Sequence, residues 1–287
     1  MTCSSGSLPS LLTLQHDVSS TVSAMRAATP LVHNITNLVV MHTTANALLA
    51  VGASPIMAHA EEELPEMLNF ASALVINIGT LDTRWIASMR RAGELAHEKG
   101  LPTVLDPVGA GASALRTETA LTLLDTARPA VLRGNASEIM ALAGSQASGR
   151  GVDSLCGSEA ALEAARALAG KYDCVVSVSG EQDLITDGCL LLRVAGGSSL
   201  MTRVTGMGCT STAITAACLA GARTAKQSDL IGAAAGMAIM AEAGSRAAAN
   251  CAGPGSFLIH FLDSLAALTP DEAAVHLVSA ERLLLDA

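Results

Sequence analysis

The sequence predicts an α/β fold: a mainly parallel central sheet with helices on both faces and an antiparallel edge. Three observations predict it. Short apolar runs alternate with helical patterns along most of the chain, the signature of successive strand–helix–strand units. Several of these runs are apolar throughout, as strands covered on both faces are. After residue 180 the pattern changes, and two apolar runs flank Asp187-Gly188, a hairpin signal.

The elements follow in order. Ala73 to Ile78 reads as a buried strand ending at Gly79-Thr80. A helix from about Asp82 to Lys99 should follow, with Gly100 just past its end, where a left-handed residue closes many helices. Pro102 to Asp106 is the next strand, and Ala130 to Arg133 another, ending in Gly134-Asn135. Asn135 then caps a helix, with Glu138 at capping-box spacing. Cys174 to Ser179 is a further strand, and Leu184 to Thr186 with Leu190 to Val194 form the hairpin. Gly196-Gly197, a short strand near Ser199 to Thr202 and a long Ala-rich helical tail come last. In that tail Gly208 to Ala222 and Leu230 to Ala249 are apolar nearly all round, as helices buried in a core or a subunit interface are. Gly144 to Gly157 is the one loop rich in Gly and Ser. No linker or repeat divides the chain, so residues 1–287 are expected to form one domain, with the order of about 1–20 left open.

Composition excludes several function classes. Hydrophobic residues make up 50% of the 287 and charged residues 15%, too apolar a balance for disorder. The only aromatics are Phe70, Phe257, Phe261, Trp85 and Tyr172, a poor supply for stacking bases. The net charge of −9 argues against a nucleic-acid or membrane partner. The longest apolar stretch, Leu230 to Ala241, falls short of the about 20 residues a membrane span needs. The N-terminus lacks a basic segment leading into an apolar run, so no secretory signal is expected. The cysteines are odd in number, 7, with no C-x-x-C pair. Neither disulfides nor zinc are therefore expected, and a reducing cytoplasm fits best.

Ligand sites in open α/β sheets lie at the C-terminal strand ends. Asn77 to Thr80, Asp106 to Gly111, Arg133 to Glu138 and Ser179 to Glu181 would share that rim. Thr205-Gly-Met-Gly-Cys-Thr210 precedes an apolar helix. Its glycines permit a tight turn, and the helix N-terminus behind them suits a phosphate or a developing negative charge. A plain capped turn is the competing reading. The P-loop motif is absent. Gly109-Ala-Gly111-Ala-Ser-Ala114 matches G-x-G-x-x-A, but the next strand ends in Arg133 rather than a ribose-binding acid, which argues against a dinucleotide fold.

A parallel sheet without a P-loop, and with a late G-x-G turn opening a helix, is the pattern of ribokinase-like kinases. Within that superfamily the chain closely resembles the hydroxyethylthiazole kinases of thiamine salvage. The resemblance is carried by Pro30-Leu-Val-His-Asn-Ile-Thr-Asn37, Gly52-Ala-Ser-Pro-Ile-Met-Ala58, Val75-Ile-Asn-Ile-Gly-Thr80, Leu105-Asp-Pro-Val-Gly-Ala-Gly-Ala112, Arg133-Gly-Asn-Ala-Ser-Glu138, Val178-Ser-Gly-Glu181, Val204-Thr-Gly-Met-Gly-Cys209 and Gly253-Pro-Gly-Ser-Phe257. These segments stand in the family's order and span residues 30 to 260 almost continuously.

The resemblance implies a three-layer ribokinase-like sandwich. It implies transfer of the γ-phosphoryl of ATP to the primary alcohol of 4-methyl-5-(2-hydroxyethyl)thiazole, with Mg²⁺, in a homotrimer whose sites lie between subunits. Residue by residue, it implies that Cys209 takes or positions the hydroxyl proton, and a helix N-terminus would lower its pKa. A small buried hydrophobe is the plain alternative for that cysteine. Gly206 and Gly208 would hold the transferring group, and Gly206 also touches substrate. Arg133 and Ser179 would bind ATP. Asp106 and Glu138 would face ATP and hold Mg²⁺, directly or through water, although Glu138 alone reads equally as a capping partner. Met57, Asn37 and Gly79 would line the thiazole pocket, with Asn37 reaching it from its own or a neighbouring subunit. His33, His42 and His59 are expected to be structural or solvated. Two related readings compete: a kinase for another small alcohol such as hydroxymethylpyrimidine, and an ATP-dependent hydrate dehydratase. Both would be expected to carry Asp where Cys209 stands.

Overall fold

The described residues of the chain fold around one nine-stranded sheet in the order β2–β1–β3–β4–β5–β6–β7–β8–β9. The structure, a computed structural model, describes residues 8–144 and 154–283, with side chains from residue 160 onward in the second stretch. The strands are β1 Leu31–Ile35, β2 Ser54–Ile56, β3 Ala73–Asn77, β4 Thr103–Asp106, β5 Val131–Asn135, β6 Val175–Ser179, β7 Gln182–Thr186, β8 Leu190–Ala195 and β9 Leu277–Arg282. All pairings from β2 to β6 are parallel, and those of β6–β7, β7–β8 and β8–β9 are antiparallel. The predicted hairpin is β7–β8, with Gly188 at φ +90° in its turn.

The helices are α1 Leu11–Ala28, α2 Met41–Val51, α3 Leu64–Phe70, α4 Thr83–Glu98, α5 Ala114–Ala127, α6 Ala136–Leu142, α7 Ser154–Tyr172, α8 Met207–Thr224, α9 Asp229–Asn250, α10 Pro254–Ala267 and α11 Pro270–Ala274. Strand residues alternate between two cores, as the two-residue pleat requires. Val32, Val75, Val104 and Val131 face the layer of α1, α2, α8, α9 and α10, whereas Ile35, Ile76, Leu105 and Leu132 face α3 to α7. The three layers of the predicted sandwich are thus present. Asp82 caps α4 by accepting from the Trp85 amide, and Gly100 sits past its end at φ +65°.

The Ala-rich composition has a packing reason. Helices α8 and α9 run side by side at close range, with Gly232 and Gly236 of α9 seated against Leu219 and Thr215 of α8. A Cβ on Gly236 would sit 2.7 Å from the Thr215 Cα, and where α8 meets α1 one on Gly221 would sit 2.6 Å from the Met25 Cβ. Only small residues let helix backbones approach so closely.

Three expectations change. The segment near Ser199 to Thr202 is a 3-10 turn, Ser199–Arg203, rather than a strand. Ser198 accepts a hydrogen bond from the Leu200 amide and so caps the turn, and β9 already occupies the free side of β8. The helical tail accordingly ends in a strand, β9. Cys189 is disulfide-bonded, against the expectation of free thiols, and its partner lies outside the described side chains. Of the stretch 1–20, residues 1–7 lie outside the described residues, while α1 begins at Leu11 and buries Leu14 and Val18. The Gly144 to Gly157 loop lies largely outside the described residues. Among the described residues, no helix is long and apolar enough to cross a membrane.

Enlarging Gly236 tests the α8–α9 contact. Gly236→Val should destabilise the fold by about 2–3 kcal/mol through overpacking, read as a lowered midpoint in thermal or urea unfolding. An unchanged midpoint would refute the contact.

Candidate active site

The C-terminal ends of the parallel strands form one rim. Along it stand Asn37 after β1, Asn77 and Gly79 at and after β3, Asp106 at β4, Arg133 in β5 and Ser179 at β6. The N-terminus of α8 lies over the middle of this row. A cleft of about 190 Å³ there is lined by Asp106, Val108, Arg133, Asn135, Glu138, Ser179, Gly206, Gly208 and Cys209. A second cleft of about 750 Å³ shares Arg133, Asn135, Ser179 and Gly208. It continues outward past Gly196 to Thr202, with Met201, Met207, Met237 and Met240 on its walls.

Hydrogen bonds fix the rim. The Asp106 carboxylate accepts from Asn77 Nδ2 at 2.7 Å and from Thr212 Oγ1 at 2.7 Å. A carboxylate only accepts, so the orientation of the Asn77 amide follows. Asn77 Oδ1 then accepts from Asn37 Nδ2 at 2.8 Å and from the Gly79 amide at 3.0 Å. Asn37 Nδ2 also approaches Cys209 Sγ, at 3.4 Å. Asn37 and Cys209 therefore meet within one chain. A Cβ on Gly79 would sit 2.6 Å from Asn37 Nδ2, so glycine there protects the placement of Asn37.

Arg133 and the α8 N-terminus supply the positive side. Arg133 is only 7% exposed, its Nε has no hydrogen-bond partner, and no ion pair within 4.0 Å includes it among the described residues. A guanidinium is seldom buried without a partner. Gly206, at φ +86°, precedes α8 and provides no side-chain cap. The first amides of α8 thus lack both intrahelical and side-chain acceptors. The other glycine motif behaves differently. Ser113 caps α5 by accepting from the Arg116 amide, and the Gly109 amide donates to Glu138 Oε1. Gly109–Gly111 is therefore a turn that holds Glu138.

Electrostatics corrects one expectation. Burial pushes the Cys209 thiol up to about 11, and the nearby Asp106 charge adds to that, outweighing the amides and Arg133. The helix N-terminus does not make it a thiolate at neutral pH. Asp106 is itself pushed up to about 6, chiefly by burial and also by Glu138, against the pull of Arg133, Thr212 and Asn77. Burial raises Asp183, on the wall of the larger cleft, to about 6 as well.

The remaining expected residues are placed as follows. Glu138 completes the capping box with Asn135, its Oε2 accepting from the Asn135 amide at 2.8 Å. Ser179 Oγ donates to the Gly134 carbonyl at 3.4 Å, and Ser179 lines both clefts. Met57 follows β2 at the far end of the rim and lines neither cleft. His33 is buried in β1 with Nε2 bonded to the Ala58 carbonyl, and exposed His59 stacks on Trp85. His42 meets the side chain of Asn46 one helical turn on. Sequence reasoning missed Asn77 and Thr212 as links in the hydrogen-bonded row, although Asn77 stands at a predicted strand end. No group of three or more metal-ligating side chains is present among the described residues.

Thiolates react and thiols do not, so Cys209 should alkylate slowly with iodoacetamide at pH 7.5. Its rate should climb with pH until about 11, followed by peptide mass spectrometry. Rapid labelling at neutral pH would contradict the buried-thiol assignment.

Residues 22–271 match the model of the hydroxyethylthiazole kinase family. The chain is 58% identical over 248 residues to a hydroxyethylthiazole kinase of Nitratidesulfovibrio vulgaris strain Miyazaki F, covering 86% of this chain and 91% of the relative. It is 53% identical over 262 residues to that of Brachyspira hyodysenteriae, covering 91% and 97%. Among solved structures it resembles the hydroxyethylthiazole kinase protein of Pyrococcus horikoshii OT3, with a TM-score of 0.83, 40% identity, and coverage of 93% of this chain and 99% of that one. A Staphylococcus aureus pyridoxal kinase in complex with ADP, at 18% identity and a TM-score of 0.57, covering 76% and 88% of the two chains, shares the fold.

Proposed function

The chain belongs to the hydroxyethylthiazole kinase family, and on that footing we propose that it transfers the γ-phosphoryl group of ATP to the primary alcohol of 4-methyl-5-(2-hydroxyethyl)thiazole, in cytoplasmic thiamine salvage. The observation that carries this reading is the buried Arg133, whose Nε has no hydrogen-bond partner among the described residues, beside the uncapped N-terminus of α8. Together they form an anion site facing two carboxylates in one cleft.

Phosphoryl transfer proceeds through a loose transition state, so positioning and charge stabilisation dominate catalysis. The larger cleft takes the nucleotide, and Arg133 and Ser179 hold its phosphates where the clefts meet. The amides of the Gly206–Cys209 turn receive the transferring group. Cys209 stays protonated and orients the attacking hydroxyl, with Sγ fixed by the Asn37 amide. A strong base is not required for that role. Met57, Asn37 and Gly79 mark the thiazole end of the rim.

Asp106 and Glu138 suit Mg²⁺. The hydrogen bonds from Asn77 and Thr212 both fall on Oδ2 of Asp106, which leaves Oδ1 for a ligand. Glu138 helps push Asp106 upward, a like-charge pairing that a cation relieves. Each Glu138 oxygen already accepts a backbone amide, which favours contact through water at that residue. Bound there, Mg²⁺ would neutralise charge on the phosphate oxygens. Assembly as a homotrimer with sites between subunits belongs to the same reading. Leu38 and Val39, 63% and 64% exposed beside Asn37, supply apolar surface next to the site.

A coupled ADP-release assay with Mg-ATP and the thiazole alcohol tests the reaction, run beside hydroxymethylpyrimidine, ribose and a control without acceptor. Thiazole-dependent ADP formation is expected, and its absence in folded, assembled protein would overturn the proposal. Cys209→Ala should lower kcat about tenfold, the worth of one hydrogen bond. Arg133→Ala should raise the KM for ATP by about 10- to 100-fold, since charge-assisted bonds are stronger. Light scattering should give three copies of the 29.0 kDa chain; a monomer mass would remove the trimer.

A further inference from the structure

Strand β8 is antiparallel to β7, which is antiparallel to β6, so β8 runs in the direction of the parallel strands. Its end at Ala195 therefore reaches the site rim, two strands beyond Ser179. Gly196, Gly197 and Ser198 line the larger cleft there, away from the Arg133 and Gly208 end where the phosphates are placed.

That loop is clamped from two sides. On one side the Gly197 amide meets the Ala241 carbonyl at 3.0 Å and Ser245 Oγ at 2.9 Å, both on α9. On the other stands His276. Gly196 lies at φ +139°, and a Cβ there would sit 2.5 Å from His276 Nδ1 and 3.1 Å from the Ala241 Cβ. The backbone is thus pressed between the imidazole and α9. His276 Nδ1 lies 2.7 Å from the Ala195 carbonyl, which only accepts, so Nδ1 donates. Nε2 lies 2.6 Å from Glu242 Oε2. Glu242 Oε1 accepts from Arg246 Nε, and Arg246 pairs with Glu272 of α11 at 2.5 Å. The His276 and Glu242 side chains are only 16% and 14% exposed, and neither residue lines the cleft, although Ala241 beside Glu242 does.

We propose that His276, held by Glu242, is a positioning residue for the nucleoside half of the phosphate donor. It fastens the Ala195–Ser198 loop as the outer wall of the larger cleft. This rests on the kinase reading above, in which that cleft takes the nucleotide. The effect falls on one end of the donor. The phosphate end is built on Arg133 and α8, and among the described residues no hydrogen bond joins either to His276, Glu242 or the Ala195–Ser198 loop.

The full-length, assembled enzyme tests the proposal as wild type, His276→Phe, Glu242→Gln and Arg193→Gln. The last removes an exposed ion pair between β8 and β9 and controls for lost stability alone. Measured are kcat, both KM values, and the competition constants of adenosine and inorganic tripolyphosphate. His276→Phe should raise the KM for ATP and the adenosine constant roughly tenfold, the effect of losing about one buried hydrogen bond. The kcat, the thiazole KM and the tripolyphosphate constant should stay within about twofold. Glu242→Gln should move the same two constants in the same direction by less, and it carries the test should His276→Phe fail to fold. Arg193→Gln should move none. Unchanged nucleotide constants in the folded variants, or parallel losses in every constant shared with Arg193→Gln, would overturn the proposal. Calorimetry on wild type separates the two levels. Failure to bind ATP at all sinks the kinase reading, whereas wild-type ATP affinity in His276→Phe sinks this inference alone.

Discussion

The Asp106 carboxylate, 2% exposed at the end of β4, is the point from which the rim is oriented. Because it only accepts hydrogen bonds, it dictates which way Asn77 lies, and Asn77 in turn dictates Asn37. Through Thr212 the same carboxylate holds the first turns of α8. One buried charge therefore sets both the side chains around Cys209 and the helix that carries it. Burying that charge is unfavourable, which is why its pKa rises to about 6. Three neighbours offset part of the burden, and an unmade bond among them would leave a polar group stranded in the interior.

The rim also divides two kinds of helix start. Helices α4, α5 and α6 close their own N-termini with Asp82, Ser113 and Asn135. Helix α8 does not, because Gly206 has no side chain to offer. A helix left open at the point where strand ends, a guanidinium and two carboxylates converge is the asymmetry on which anion binding depends. The glycine-rich turn after β4 shows that the residues alone do not decide this. Its glycines shape a loop around Glu138, and the helix behind it is satisfied by its own serine.

Much of this was legible in the sequence. Strands β3 to β6 announced themselves as short apolar runs ending in glycine and a polar residue, because a parallel strand is buried on both faces and its end is where the backbone must turn. The hairpin was legible through Asp187-Gly188, and the α6 cap through Asn135 and Glu138. Contacts between distant residues were not legible. Asn37 meets Cys209 across 172 positions, and no local pattern reports such a pair. The Cys209 thiol was misjudged for a related reason: a helix N-terminus is visible in sequence, while the burial and the Asp106 charge that outweigh it exist only once the sheet is assembled. Ser199–Arg203 and β9 went the same way, since an edge position is a property of the sheet and not of the segment.

The close contact of α8 with Gly232 and Gly236 of α9 bears on how such a protein can change over time. Alanine and glycine lose no rotamer freedom on burial, and they offer no alternative rotamers through which a neighbour's change might be absorbed. At Gly232 and Gly236 the platform beneath the anion site is therefore fixed at the level of the backbone. Diversification of substrate preference is channelled away from it, into the loops that follow the strands, where side chains are longer and insertions are tolerated. A lineage descending from this chain would keep its helices and rewrite its rim.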